Sequence, residues 1–356
     1  MKNHHVITIG TSAGGVRALK ILVSQLPKDF QGSIYIVQHL SSEAPSNLAR
    51  VLKLAGQLPV NFAVDREPIE PGRIYLAPPD YHLILKQGYV RVIRGPRENR
   101  MRPAIDPLFR SAAVAYRSYV TGVVLTGMLD DGTAGLQAIK ACGGMAIVQE
   151  PNDAAYSSMP QSAIANVEVD RIVLLKDIPN LLIERVRQTP PPVKEVPADL
   201  LIEVPIAVNA ITEPDSMAQI GKPVAYSCPS CGGPLWQIGS QTASSKGKPN
   251  NLGQSTLHYR CHVGHAFTSR TLIEEQSEAT EKALWVALRT LEERSRMLNA
   301  MSDRYAQTGA ISLAQTHEQR AIEASEHAVL IRDLLRDLKV ISEFPEEKTK
   351  PEPEAS

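Results

Sequence analysis

The sequence lacks the features that mark membrane-embedded, secreted and nucleic-acid-binding proteins. It has no apolar run of about 18 residues, the length that a transmembrane helix requires. Its N-terminus, MKNHHVITIG, enters a strand-like segment without the charged and apolar regions of a signal peptide. Lys and Arg number 38 and so do Asp and Glu, so no net charge attracts nucleic acid or an anionic membrane. We therefore expect a cytoplasmic protein with no nucleic-acid partner and no membrane insertion.

Cysteine is scarce as well, because four in 356 residues are too few for a disulfide framework. Three of them, Cys228, Cys231 and Cys261, cluster in a short region that also holds histidines, which indicates a metal site instead. The fourth, Cys142, lies at a predicted helix end and is most simply a small buried side chain. The hydrophobic fraction of 43% is ordinary for a soluble chain that forms two or three domains.

Residues 1–187 alternate β-branched runs with amphipathic stretches, a pattern typical of a mostly parallel α/β sheet covered by helices. The apolar runs predict strands over 6–10, 33–39, 73–78, 120–126, 145–150 and 171–175. These runs are apolar through most of their length, as expected of strands buried on both faces. Residues 83–95 instead predict a hairpin with Gln87 and Gly88 at its turn.

Composition divides the rest of the chain into four segments. Residues 188–221 are Pro-rich and predict a linker with at most one short strand. Residues 222–268 form a Cys/His-rich module that includes a polar stretch over 240–254, which we expect to be an exposed loop. Helical periodicity over 269–343 predicts a helical hairpin or coiled-coil arm. The charged, Pro-rich tail over 344–356 predicts disorder.

The first predicted strand runs directly into a serine motif. Residues 10–14, GTSAG, fit the pattern G-x-S-x-G, in which small residues permit a tight turn that aims the hydroxyl of Ser12 at a cleft. The N-terminus of the following helix offers backbone N–H groups that suit an oxyanion. A phosphate-binding loop is the alternative interpretation. The segment lacks the G-x-G-x-x-G spacing and the Gly-Lys-Ser/Thr ending of such loops, which makes a nucleotide-binding protein the weakest hypothesis.

A histidine and two carboxylates follow other predicted strands. His39 ends the second strand, and Asp130 and Asp131 follow the strand over 120–126. Active sites of open α/β sheets lie along the carboxyl ends of the strands, so we expect these residues near Ser12. His39 would then act as the base, and one carboxylate would hold its imidazole in the required tautomer. A structural histidine and helix-capping aspartates are the alternatives.

Six ordered motifs now carry a family resemblance, which covers nearly all of residues 4–180. They are IGTSAGG, VQHL, IYLAPPDYHL, NRMRPAIDPLFRSA, VVLTGMLDDGTAG and SSMPQSAI. The set resembles the catalytic domain of chemotaxis protein-glutamate methylesterases, the CheB family. The resemblance implies a doubly wound parallel α/β domain with Ser12, His39 and Asp131 as its catalytic triad. Asp131 is preferred because the family's catalytic Asp immediately precedes the glycine that is Gly132 here.

The same resemblance implies a cleft and a reaction. Met128 matches the family residue whose backbone N–H lies near the oxyanion, Arg102 lies in the stretch that borders the cleft, and Asp130 falls on a variable position. The implied reaction is hydrolysis of glutamyl methyl esters on methyl-accepting receptors or related coiled-coil proteins in chemotaxis signal transduction. Glutamine deamidation is implied as a secondary activity, and no cofactor is expected for catalysis.

Two features depart from the family pattern. Family members commonly carry Thr after the nucleophile, where this chain has Ala13, so a side-chain contribution to the cleft is lost while the backbone N–H remains. Usual members also carry an N-terminal receiver domain, whereas this chain begins at the catalytic strand. We therefore expect no regulation by aspartyl phosphorylation in cis.

The Cys/His module predicts a closed structural zinc site. Cys228 and Cys231 form a zinc-knuckle pair followed by two glycines, and Cys261 with His265 supplies a second pair whose spacing lets both side chains converge. His262 is the reserve ligand and His258 a weaker one. Reduced thiols in a small core are the alternative, and thiolate and imidazole ligands do not exclude iron. The module looks like the zinc-ribbon-like extension of some stand-alone methylesterase-like proteins.

The helical arm leaves function less determined. Leu, Ala and Val at helical spacing usually form a packed face, yet a hairpin can also dock on a helical protein partner or mediate self-association. We therefore weigh two hypotheses: a methylesterase, and a non-catalytic scaffold or signalling adaptor built on a degenerate esterase domain. The intact Ser12, His39 and Asp131 favour the enzyme.

Overall fold

A computed structural model of the protein describes residues 4–40, 46–209, 214–238 and 258–341. The polar loop predicted over 240–254 and the tail predicted over 344–356 lie outside the described residues. The chain forms two compact units, Met1–Leu272 and Ile273–Ser356, and each is described by itself.

A seven-stranded sheet forms the centre of the first unit. The strands of this part of the chain are β1 (Val6–Thr11), β2 (Ser33–Gln38), β3 (Val60–Phe62), β4 (Ile74–Leu76), β5 (His82–Lys86), β6 (Tyr89–Ile93), β7 (Val120–Val124), β8 (Met145–Gln149) and β9 (Arg171–Val173). The sheet order is β3-β4-β2-β1-β7-β8-β9, and every described pair within it is parallel. β5 and β6 pair separately as the predicted antiparallel hairpin, with Gly88 at φ 83° in its turn.

Helices cover both faces of this sheet. They are α1 (Gly15–Ser24), α2 (Leu48–Ala55), α3 (Ile105–Tyr116), α4 (Thr133–Ala141), α5 (Ser158–Asn166) and α6 (Ile178–Arg187). Side chains of a strand alternate between faces, so Ile34 and Ile36 of β2 join the core beneath α1 while Tyr35 and Val37 join the core beneath α3. The mostly parallel, doubly wound α/β architecture is thereby confirmed.

Two strands differ from the sequence expectations. β3 was not predicted, because its three residues carry too short a pattern to stand out from the surrounding loops. β9 was expected to be buried on both faces, but it lies at the edge of the sheet, where Ile172 is 43% exposed. An edge strand has a neighbour on one side only, so an apolar sequence does not guarantee its burial.

The segment predicted as a linker contains two helices, α7 (Ala198–Asn209) and α8 (Pro214–Ile220). α7 forms despite Pro205 in its interior, a residue that removes one helical hydrogen bond. Burial of apolar side chains of α7 against other elements compensates for this lost bond, since such packing supplies most of the stability of helices in proteins. Leu200 packs into the α/β core, while Ile206 joins a cluster with Met217 and Trp236.

A small antiparallel sheet follows these helices. Its strands are β10 (Gly221–Ser227), β11 (Pro234–Ile238), β12 (His258–Cys261) and β13 (Ala266–Thr268), paired in chain order. Its core contains Leu235, Tyr259 and Phe267 together with two of the clustered cysteines. We call this sheet, with its turns, the Cys/His module.

Two long helices end the described chain, α9 (Ser269–Gln307) and α10 (Ile311–Ile341), and they correspond to the predicted hairpin. Gly309 at φ 80° lies in the turn between them. Leu288 packs against Ala328 and Leu335 of the second helix. None of the described helices combines the length and apolarity needed to cross a bilayer.

Candidate active site

Ser12, His39 and Asp131 follow three adjacent strands of the sheet, β1, β2 and β7. The chain leaves β1 toward β2 on one side, and β7 adds on the other side, so the strand order reverses at this point. Such a reversal opens a crevice at the carboxyl ends of the strands. His39 Nδ1 lies 3.1 Å from Ser12 Oγ, and His39 Nε2 lies 2.8 Å from Asp131 Oδ2. The structure thus brings the three residues together in one hydrogen-bonded line.

The partners of His39 determine which ring nitrogen carries the proton. An ionised carboxylate only accepts hydrogen bonds, so the neutral imidazole carries its proton on Nε2 and donates it to Asp131. Nδ1 is then left with a lone pair that accepts the hydroxyl proton of Ser12. The imidazole is therefore in the tautomer that a general base requires.

Asp131 is a buried carboxylate, and all its hydrogen-bond partners among the described residues are donors. Oδ2 accepts from His39 and from the backbone N–H of Ile105 at 2.7 Å. Oδ1 accepts from Asn99 Nδ2 at 3.0 Å and from the amides of Asp106 and Gly132 at 3.2 and 3.0 Å. Burial by itself raises the pKa of Asp131, but these hydrogen bonds, that of His39 foremost, lower it below its ordinary value.

Close backbone packing fixes the position of Ser12. The amide of Ser12 donates to the carbonyl of Thr126 at 3.0 Å, which ties the turn after β1 to the loop after β7. Gly14 begins the helical turn at φ 76°, where a side chain would be strained. At Gly127 a Cβ atom would lie 2.1 Å from Met159 Sδ and 2.9 Å from Ser12 Cβ. The glycines of this site therefore permit the close approach that a G-x-S-x-G elbow requires.

The predicted oxyanion donors border the same turn. The backbone N–H groups of Ala13 and Met128 donate to no acceptor within the described residues, and the Met128 side chain is 53% exposed. Leu129, next to Met128, has φ 65°, an unfavourable value for a residue with a branched side chain. Free N–H groups beside a nucleophile are suited to bind a developing negative charge.

Two other predicted residues have different surroundings. The guanidinium of Arg102 donates to Asp80 Oδ1 at 2.7 and 2.9 Å and to the carbonyl of Gly95 at 2.7 Å, so these partners hold it against its own loop. The pKa of Asp80 is lowered, chiefly by the hydrogen bond from Arg102. Asp130 is buried beside Asp131, but the helix after it is capped by Gly132 without a side-chain hydrogen bond. The carboxylate of Asp131 instead accepts the amides of Ile105 and Asp106 in the first turn of α3, so Asp131 caps the start of that helix in addition to its contact with His39.

Two residues of this site were not singled out from the sequence. Asn99 Nδ2 donates to Asp131 and, at 2.9 Å, to Asp106 Oδ2, while Asp106 Oδ1 accepts the amide of Gly135 at 2.6 Å. Burial, followed by the charge of Asp131, raises the pKa of Asp106 well above its usual range. Both residues lie in the quoted motif NRMRPAIDPLFRSA, whose polar residues were the available signal.

The predicted metal ligands also converge. Donor atoms of Cys228, Cys231, Cys261 and His265 all lie within 4.8 Å of one another. Cys231 Sγ lies 3.7 Å from Cys261 Sγ, which in turn lies 3.5 Å from His265 Nδ1. These separations fit the edges of a tetrahedron around an ion with metal–sulfur bonds of about 2.3 Å. The cluster therefore has the donor set and the spacing of a structural zinc site.

The other candidates lie outside this cluster. The ring of His262 packs near Gly233, and His258 Nε2 lies 3.5 Å from Glu203 Oε1. Cys142 is buried in the α/β core, where burial raises its pKa to about 11. Among the described residues the four-ligand group is therefore formed with His265, the preferred histidine of the sequence analysis.

Known proteins match the α/β part of the chain. The family model described as CheB methylesterase matches residues 7–182. A Leptospira interrogans protein, provisionally named a protein-glutamate methylesterase/protein-glutamine glutaminase, is 39% identical over 182 residues, which are 51% of this chain and 94% of that protein. An Anaeromyxobacter dehalogenans protein-glutamate methylesterase/protein-glutamine glutaminase is 38% identical over 51% of this chain and 53% of its own length.

A solved structure is similar over the same portion of the chain. The crystal structure of the Thermotoga maritima CheB methylesterase catalytic domain matches with a TM-score of 0.50 and 34% identity. The match covers 52% of this chain and 99% of that domain. The similarity therefore accounts for about half of this chain.

Proposed function

The chain belongs to the CheB methylesterase family, and from this premise we propose that it is a serine hydrolase that cleaves glutamyl methyl esters in proteins. The observation that carries the proposal is the hydrogen-bonded line from Asp131 through His39 to Ser12. Nucleophile, base and orienting carboxylate stand in the order that acyl transfer requires. We propose these three as the catalytic triad.

The acylation step follows from the tautomer of His39. Nδ1 removes the proton of Ser12 as Oγ attacks the ester carbonyl, and the ionised Asp131 stabilises the imidazolium that forms. The backbone N–H groups of Ala13 and Met128 bind the oxyanion. The imidazolium then returns its proton to the methoxy group, and methanol leaves. Water, deprotonated by the same imidazole, hydrolyses the acyl-enzyme to release the glutamate carboxylate and regenerate Ser12.

Glutamine deamidation uses the same site. The amide carbonyl is attacked in the same way, and ammonia replaces methanol as the leaving group. We propose this as a secondary activity, in keeping with the double name of the relatives. Arg102, held by Asp80 near the loop that supplies Asn99, is proposed to border the substrate cleft.

We further propose a cytoplasmic setting in which methylated chemotaxis receptors, or related coiled-coil proteins, are the substrate. Partner docking or self-association through the helical hairpin stays a prediction. Exposed apolar side chains along the hairpin, such as Trp285 at 46% and Leu330 at 61%, support it. Sedimentation of the full chain over a range of concentrations would test self-association.

The Cys/His cluster is proposed to hold a structural Zn²⁺. Three thiolates and one imidazole fill a tetrahedral site, which leaves no position for a reactive water. Such an ion contributes to folding of the module rather than to the acyl chemistry. Catalysis itself uses only side chains and backbone amides.

The test is methanol release from a methylated receptor cytoplasmic fragment. We expect release by the native chain, loss of release in Ser12→Ala, and unchanged release in Ser24→Ala, an exposed serine at the end of α1. Labelling by a serine-reactive fluorophosphonate should follow the same pattern. Absence of both release and labelling in the folded native chain would favour the scaffold hypothesis, whereas labelling without release would indicate a different ester substrate.

A further inference from the structure

A tight turn carries the side chain that supports the carboxylate of Asp131. Glu98 and Met101 pair across the turn, with hydrogen bonds of 3.3 and 2.9 Å between their backbones. The two residues between them, Asn99 and Arg100, have φ 48° and 69°. Positive φ at both central positions is the geometry of a two-residue hairpin turn, and Asn tolerates it well. The turn therefore fixes where the Asn99 side chain points.

Asn99 is bonded on one side to the active site and on the other side to the Cys/His module. Its Nδ2 donates to Asp131 at 3.0 Å, whereas its Oδ1 accepts from the amide of Thr268 in β13 at 3.3 Å. Its backbone N–H donates to the carbonyl of Ala266 at 2.8 Å. Asn99 is 1% exposed, so water does not substitute for these partners. One buried amide thus joins the two sites.

Buried ion pairs connect the Cys/His module to the turn that carries Asn99. The carboxylate of Glu98 contacts Arg110 of α3 and lies 3.0 Å from Arg260 of β12. Arg260 also lies 2.9 Å from Glu203 of α7, and none of the four side chains is more than 9% exposed. Loss of one partner would leave a buried charge unpaired, which is strongly unfavourable. The turn, α7 and β12 are therefore held together around balanced charges.

The metal ligands are direct neighbours of these contacts. Cys261 follows Arg260 in the chain, and His265 precedes Ala266. A bound ion would tie both ends of the β12–β13 turn to Cys228 and Cys231. The position of the β13 backbone that contacts Asn99 would then depend on the ion.

We propose that the Cys/His module is part of the esterase site: through Asn99, a positioning residue, it holds Asp131 in line with His39, so that metal occupancy of the module sets the turnover rate. The proposal rests on the proposed esterase function. It predicts an effect on kcat rather than on KM, because Asn99 touches Asp131 and not the substrate.

The first test changes the hydrogen bonds of the Asn99 side chain in the metal-loaded protein and measures the effect on kcat. Asn99→Asp keeps an acceptor for Thr268 but replaces the donor that faces both Asp131 and Asp106 with a third carboxylate. Asn99→Gly accepts the positive φ and keeps the backbone bond to Ala266 while deleting the side-chain bonds to Asp131, Asp106 and Thr268. We expect kcat to fall about tenfold to a hundredfold in both variants, the size of a lost hydrogen bond to a charged group, with KM unchanged.

The second test removes the metal from the full chain with a chelator, or by Cys231→Ala, which removes an exposed ligand. Cys142→Ala, a buried cysteine outside the cluster, is the matched control. Amide hydrogen exchange gives a readout besides activity. We expect metal loss to speed exchange at the amide of Asn99, which donates to Ala266, and at Ile105, which donates to Asp131. Amides of β1 should keep their protection.

The combination of the tests decides the proposal. Metal removal should lower kcat in the native chain but add little in Asn99→Gly, because the connection is already cut there. Independent, additive losses would overturn the proposal, and so would full activity of the metal-free chain or of Asn99→Asp. If metal removal unfolds the α/β core, Asn99→Asp at full metal content still decides the positioning role. A native chain without methanol release or phosphonate labelling refutes the esterase function, while the exchange measurement still reports the coupling.

Discussion

Replacement of Asp131 by asparagine tests the orientation of His39 most directly. The two side chains have the same shape, but the amide has an NH₂ group where the carboxylate has a second acceptor. All described hydrogen-bond partners of Asp131 are donors. In either orientation of the introduced amide, its NH₂ group therefore faces another donor instead of an acceptor. With NH₂ toward His39, the imidazole must move its proton to Nδ1 and can no longer accept that of Ser12.

The expected magnitudes follow from these contacts. A base held in the wrong tautomer costs about 10⁴-fold in kcat, the size seen when the corresponding aspartate of a serine protease is replaced by asparagine. With NH₂ at the Oδ2 position, the amide of Ile105 loses its acceptor, whereas the imidazole, with its proton now on Nδ1, accepts from the NH₂ group through Nε2. At about 1 to 3 kcal/mol for one unsatisfied buried donor, the free energy of unfolding should fall by about 1 to 3 kcal/mol.

The assay is methanol release from a methylated receptor fragment, measured beside the unfolding free energy in urea. Asp130→Asn is the matched control, since it makes the same change one residue earlier, and we expect its kcat to stay within about threefold of native. An Asp131→Asn variant that retains more than about one tenth of native kcat would refute the proposed role of Asp131. Equal losses in the two variants would indicate a general effect on the loop.

Three further perturbations test other parts of the structure. Gly127→Ala should abolish most methanol release, because its Cβ would lie 2.9 Å from the Cβ of Ser12, and native kcat in this variant would contradict the described packing of the elbow. Burial by itself raises the pKa of Glu98, but the charges of Arg110 and Arg260 outweigh burial and lower this pKa to about 2. The ionised Glu98 therefore stabilises the fold above about pH 4.5, and this contribution is lost as pH falls toward 2. Glu98→Gln should therefore lower the free energy of unfolding by about 3 kcal/mol at pH 7. The difference from the native protein should shrink below about pH 4.5, and a difference that does not depend on pH would contradict the role of the Glu98 charge. Leu288→Ala, in the packed face of the hairpin, should destabilise that unit by about 2 to 5 kcal/mol in thermal unfolding, whereas Leu330→Ala, which is 61% exposed, should change it by less than about 0.5 kcal/mol.

The order of the strands could be inferred from sequence only in part. Apolar runs predicted six of the seven strands of the sheet, because burial on both faces leaves a continuous apolar signature. β3 has three residues and falls below what such a signature can reveal. α7 was missed because Pro205 argues against a helix locally, and the burial of Leu200 and Ile206 that stabilises it comes from distant elements.

The candidate site shows the same division. Ser12, His39 and Asp131 were identified from strand ends and family motifs, and their hydrogen bonds then fixed the tautomer. The role of Asn99 was not identified, because the partners that connect it to the two sites lie 32 residues away at Asp131 and 169 residues away at Thr268. No local pattern encodes contacts over such separations.

By itself the sequence determined the candidate residues for the chemistry: a serine in a glycine elbow, a histidine and an aspartate at strand ends, and four Cys and His side chains at the spacing of zinc ligands. These features follow from local rules of turns, strand ends and ligand spacing. Only the tertiary structure decided that the Cys/His module packs against the turn of Asn99, because that contact depends on buried charges of Glu98 and Arg260 that meet only in the folded chain. Whether two buried charges pair depends on which residues are close together in the folded protein, and this cannot be read from their order along the chain.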